Sequence, residues 1–164
     1  MKINFLFLVP LLCALFTSCE KEETEIDTQK PSIDMSFMEA FPNNCDTLYF
    51  GEPFTFKALF TDNQELGSYS IDFHNNFDQH SHTTETNNCE EEESKEAVNP
   101  YVNILDGEIP AGSKNYTTNL SFTIPESNEN GLFQPGDYHF FISLTDKEGW
   151  STQKGISIKI LHRP

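Results

Sequence analysis

Five stretches of the chain, residues 54–60, 68–74, 116–124, 137–145 and 151–161, are rich in aromatic and β-branched residues. Such residues suit strands, and between the stretches lies the chemistry of tight reversals. Gly51-Glu-Pro53, Asp62-Asn63, Glu65-Leu-Gly67, the 125–131 segment, Pro135-Gly136-Asp137 and Asp146-Lys-Glu-Gly149 all carry Gly, Pro, Asn or Asp. No helix is predicted. The pattern predicts an all-β chain of about seven strands, an immunoglobulin-like β-sandwich over residues 31–164. Within strands the alternation assigns faces. Tyr69, Ile71 and Phe73 point to the core and Ser70, Asp72 and His74 away from it; Tyr138, Phe140, Ile142 and Leu144 point in, and His139, Phe141 and Ser143 out.

Two segments break the pattern. Met1-Lys2 precedes an apolar run from Phe5 to Phe16, too short for a membrane span of roughly 20 residues. With Thr17-Ser18 before Cys19, it predicts a cleaved signal peptide over residues 1–18. Leu15-Phe16-Thr17-Ser18-Cys19 resembles a bacterial lipobox, in which Cys19 is lipidated, although Phe16 stands where an aliphatic residue is usual. Glu20-Lys21-Glu22-Glu23 looks like the tag that sends Bacteroidetes lipoproteins to the outer leaflet. Residues 19–30 are then expected to be a solvated tether, and the chain a lipid-anchored outer-membrane protein facing the exterior.

The second break runs from Asn75 to Pro100, too polar for a strand pair and strongly acidic at Cys89-Glu-Glu-Glu-Glu93. It is expected to be a long loop, its glutamates solvated; the run lacks the alternating oxygen spacing of a calcium loop. Cys13 leaves with the leader and Cys19 takes the lipid, so Cys45 and Cys89 remain as an expected disulfide that pins this loop. Closing that loop would stabilise the fold by about 4 kcal/mol. The competing role for the two cysteines is as thiolate metal ligands.

Charge narrows the partners. The chain carries a formal net charge of −16. It would repel phosphate backbones and anionic head groups alike, so nucleic acid is excluded as a partner and membrane attachment is left to the acyl chain.

The candidate chemistry lies in the histidines. His74, His80 and His82 fall within nine residues of a chain that has five histidines. If the strands bearing His74 and His139 are neighbours, those two rings sit side by side and the following loop can deliver His80 and His82. Imidazole is the commonest transition-metal ligand, so a zinc or copper site built from His74, His80, His82 and His139 is expected, with Asp72 and Asp78 as oxygen ligands or as orienters of the rings. His162 is expected to be incidental. Glycine-rich phosphate loops, Gly-x-Ser-x-Gly, His-Glu-x-x-His and Cys-x-x-Cys are all missing, so no enzymatic activity is expected.

The run from Asp62 to His82, Asp-Asn-x-Glu-Leu-Gly-Ser-Tyr-Ser-Ile-Asp-x-His-Asn-Asn-Phe-Asp-x-His-Ser-His, together with Gly136-Asp137-Tyr138-His139 and Asp146-Lys-Glu-Gly149-Trp150, resembles the Bacteroidetes lipoprotein family called domain of unknown function 4625. That resemblance implies a sandwich in the cell envelope and no assigned activity. The functional expectation is therefore metal capture, or transfer to an outer-membrane transporter. The alternative is a non-catalytic surface module that binds a protein or glycan through its exposed strands, with Trp150 either a contact or, as its place before the last strand favours, packed at a strand start.

Overall fold

The computed structural model describes residues 26–85 and 89–164. The described residues are all-β, in twelve segments. These are β1 (Ser32–Asp34), β2 (Thr47–Tyr49), β3 (Pro53–Phe56), β4 (Leu59–Thr61), β5 (Leu66–Asn75), β6 (Asn103–Glu108), β7 (Asn115–Thr117), β8 (Leu120–Thr123), β9 (Ser127–Asn128), β10 (Gly131–Leu132), β11 (Gly136–Asp146) and β12 (Ser151–Leu161).

One layer is a five-stranded sheet in the order β2-β12-β11-β5-β6. Its pairs are antiparallel except β2 with β12, which run parallel. The facing layer consists of β1-β4-β7 and β3-β8. Residues 54–60 and 116–124, expected as two unbroken strands, are each interrupted. At the break the buried Thr118 hydroxyl accepts from the Ala58 N–H at 2.8 Å and donates to the Phe56 carbonyl at 3.2 Å, so a side chain replaces ladder bonds. The two small sheets thus act as one layer of an immunoglobulin-like sandwich.

The core lies where alternation places it. Leu66, Ile71, Phe73, Phe140, Ile142, Leu144, Ile156, Ile158 and Ile160 meet Phe56, Phe60 and Ile124. Phe140 anchors the middle, its ring 4.9 Å from Phe73 and 5.3 Å from Phe56, distances at which edge-to-face contacts are favourable. Strand β6 is an unanticipated element. Its sequence Asn-Ile-Leu-Asp-Gly-Glu has little strand propensity, and it forms as a sheet edge by pairing with β5.

The outer face of the large sheet is covered by the loop that follows β5. The Asn76 N–H donates to the Asp137 carbonyl (2.8 Å), the Lys95 N–H to Phe77 (2.9 Å), and the Thr84 N–H to Gly155 (2.8 Å). Phe77 is buried against Tyr138, with the Lys95 ammonium over its ring. Cys45 and Cys89 are joined in a disulfide, which removes them as thiolate ligands and ties the loop to the start of β2. The glutamates at 90–93 are solvent-exposed. The leader and Cys19 lie outside the described residues. In the expected tether, Thr28 to Lys30 are exposed, but Asp27 is buried at 3 % exposure, so the chain docks on the domain earlier than its composition suggested.

Candidate metal centre

Register sets the first two rings. In the β5–β11 pair His74 lies directly opposite His139, two positions along from the Asp72–Phe141 pair, so both imidazoles project on the outer face. His74 is half-buried. His139 is sealed to 1 % exposure, because the loop lies on top of it.

The loop supplies the other two. After β5 the chain reverses through Asn76-Phe77-Asp78-Gln79, closed by the Gln79 N–H to the Asn76 carbonyl at 3.2 Å. Gln79 takes φ 61°, a left-handed geometry uncommon outside glycine, and its amide is held by the Glu92 carbonyl at 2.9 Å. The returning residues 80–84 lie against β11 and β12, and the backbone passes so close to β12 that only glycine fits. A Cβ on Gly155 would stand 2.0 Å from the His82 carbonyl oxygen.

All four rings converge. The six centroid separations are 4.8 Å (His80–His82), 5.0 Å (His80–His139), 5.2 Å (His74–His82), 5.3 Å (His74–His139), 5.5 Å (His74–His80) and 5.6 Å (His82–His139). Six nearly equal edges define a tetrahedron. With edges of about 5.2 Å its centre lies about 3.2 Å from each corner; a ring that turns a nitrogen toward that centre, about 1.1 Å from its centroid, would bring it to about 2.1 Å, a zinc–nitrogen bond length. One nitrogen each from His74, His80 and His82 lie within 4.8 Å of one another, and His139 is outside that set although its ring is 5.0 to 5.6 Å from the other three. His74 Nε2 and His82 Nδ1 are 3.1 Å apart, close to the roughly 3.3 Å between two nitrogens on a tetrahedral zinc.

The remote nitrogens are anchored. His74 Nδ1 is 3.3 Å from the Asp72 carboxylate and His80 Nδ1 is 2.5 Å from that of Asp78. In the neutral ring Nδ1–H donates, which leaves Nε2 with its lone pair toward the centre. The hydrogen bond from His80 holds the Asp78 carboxyl below the usual carboxylate range, so it stays an acceptor. His139 uses the opposite nitrogen, donating Nε2–H to the His80 carbonyl at 3.1 Å. Its Nδ1 is buried without a partner. Three of the four rings therefore have one nitrogen fixed by an oxygen, the arrangement that orients metal-binding histidines.

A family model described as Domain of unknown function (DUF4625) matches residues 17–161. The chain belongs to this family. No curated protein matches it. Among solved structures, this DUF4625 chain is similar to a mutant of the SrpA adhesin from Streptococcus sanguinis at 16 % identity and TM-score 0.42, with 84 % of this chain covered. The chain spans 57 % of the length of that structure.

Burial, and then the charges that the three other rings would carry, push the His139 imidazole down to about 4 against the pull of its bond to His80. At neutral pH it is an uncharged donor set at the floor of the cluster. His82, at the rim, is exposed. His162 stands apart, bonded to the Phe133 carbonyl and packed on Phe50. Sequence reasoning missed Gly155, whose signal was a glycine inside an otherwise regular strand.

Proposed function

We propose that this DUF4625 protein is a surface-exposed lipoprotein that binds zinc through His74, His80, His82 and His139 and serves in metal capture or transfer. The observation that carries the reading is the near-regular tetrahedron of imidazoles. Neutral nitrogen ligands in tetrahedral array suit zinc, whereas copper(II) prefers a flatter set. Three ring nitrogens already converge, and with His139 turned in as the fourth ligand no position is left for an activated water, which favours binding over hydrolysis. The exposed edge at His82 favours exchange with an outer-membrane transporter or another surface protein over permanent burial of the ion. Attachment through Cys19 rests on the lipobox-like segment before it.

The test is titration of the full-length chain, purified in detergent, with zinc and with copper(II), beside a His80→Ala/His82→Ala variant. One tight zinc equivalent, lost in the variant, is expected. Absence of zinc binding by the unaltered chain would overturn the reading.

One observation favours a second role. Val102, just before the edge strand β6, and Ile104 within it are exposed at 60 % and 63 %. A surface that meets a protein or glycan there would keep its partner in the histidine variant.

A further inference from the structure

Five buried side-chain atoms among the described residues have no hydrogen-bond partner: Asp27 Oδ2, Asp62 Oδ1, Asn76 Oδ1, His139 Nδ1 and Asp146 Oδ2. Three of them belong to carboxylates that meet at one end of the sandwich. One oxygen each from Asp27, Asp62 and Asp146 lie within 4.8 Å of one another. The residues come from three separate segments: the lead-in to β1, the β4–β5 turn, and the end of β11.

Each carboxylate is locked by its other oxygen. Asp27 Oδ1 accepts from the Gln29 N–H at 2.9 Å and the Asn63 amide at 3.0 Å. Asp62 Oδ2 accepts from the N–H groups of Gln64 and Glu65 at 2.7 and 2.8 Å. Asp146 Oδ1 accepts from Gly149 and Trp150 at 2.7 and 2.8 Å, in a turn that Gly149 makes possible at φ 97°. The Trp150 indole N–H donates to the Asp27 carbonyl at 3.0 Å and fastens the lead-in to that turn.

The electrostatics demand a cation. Asp27 and Asp146 are 3 % and 4 % exposed. Like carboxylates this close suppress each other's ionisation. Here the bonds from Gln29 and Asn63 instead hold Asp27 below the usual carboxylate range. Among the described residues no lysine or arginine forms an ion pair with any of the three. A buried oxygen that accepts no hydrogen bond is costly unless something else satisfies it, and here three carboxylates each hold one.

We infer that Asp27, Asp62 and Asp146 form a calcium site that clamps the N-terminal lead-in to the β4–β5 and β11–β12 turns. The donors are hard oxygens, which exclude the soft and nitrogen-preferring metals of the histidine cluster. Three carboxylates from independent segments suit the loose geometry of calcium, with water or backbone carbonyls completing the shell; magnesium prefers fewer carboxylates and retains its water. The site does not depend on the histidine cluster.

Terbium provides the test, as a hard trivalent ion that takes calcium's place and emits when a nearby excited indole transfers energy to it. Trp150 is the single tryptophan of the chain and touches two of the three residues. The full-length chain in detergent is excited at tryptophan with terbium bound, then titrated with calcium. Calcium-displaceable emission is expected, lost in Asp62→Asn/Asp146→Asn and retained in His80→Ala/His82→Ala. Asparagine keeps an oxygen for the turn N–H groups and removes the charge. In parallel, calcium at 10 mM should raise the Tm of the unaltered chain by roughly 5 °C, for an affinity typical of extracellular modules. This second reading does not depend on the variant folding. No calcium-displaceable emission and no Tm rise in the unaltered chain, or full emission in a folded aspartate variant, would overturn the site.

Discussion

At the scale of single residues, His139 couples the candidate metal site to stability. Its folded pKa is about 4, while an unfolded histidine titrates near 6.5, so the unfolded chain takes up the extra proton across that window. Its contribution is present in full above about pH 6.5 and lost as pH falls to about 4, a change of about 3 kcal/mol at most. Urea midpoints with chelator present should fall more between pH 7.5 and 4.5 for the unaltered chain than for His139→Leu. Equal slopes would place the burden on other groups. At the proposed zinc site Asp78 would act through His80 alone, because its exposed carboxylate bonds to that ring and bears little weight in the fold. Asp78→Ala is expected to weaken zinc binding by about tenfold or more in a competition with a chromophoric chelator, with the unfolding midpoint unchanged.

The elements show what could be read in advance and what could not. Alternation in β5 and β11 places His74 and His139 on one face because a period of two leaves no other arrangement, and adjacency of the two strands then fixes their pairing. The return of His80 and His82 was expected, but what seats the loop was not legible. It depends on Phe77 finding a socket at Tyr138, on Gln79 in a left-handed turn, and on a notch at Gly155, none of which has a periodic signature. The three aspartates were hidden for a different reason. Asp62 and Asp146 sit in turns, where aspartate is expected anyway, and Asp27 sits in a segment whose composition resembles a tether. Gly155 provides the sharpest test of how the loop is seated. In Gly155→Ala the new methyl meets the His82 carbonyl and the Phe141 ring, so residues 82–84 must lift from β12. The variant should lose about 1–3 kcal/mol of stability by overpacking, and zinc should bind at least tenfold more weakly. Unaltered affinity would show that His82 is positioned by other contacts.

For the whole molecule, the two clusters occupy opposite ends of the same strand pair. His74 and His139 lie at one end of β5–β11, and Asp146, in register with Leu66, at the other. Seven residues of β11 separate His139 from Asp146, about 23 Å at 3.3 Å per residue. That exceeds the Debye length of about 8 Å at physiological ionic strength, so direct repulsion between cations bound at the two proposed sites would be largely screened. Both ions would relieve a chain of net charge −16, and each would stabilise by its own mass action. Distant sites that share no partners contribute additively. Zinc and calcium together should therefore raise Tm by close to the sum of their separate shifts, and Asp62→Asn/Asp146→Asn should bind zinc with the affinity of the unaltered chain. A deficit in the combined shift, with weaker zinc binding in the aspartate variant, would mean that β5 and β11 transmit strain between the ends and that the sandwich responds as one coupled body.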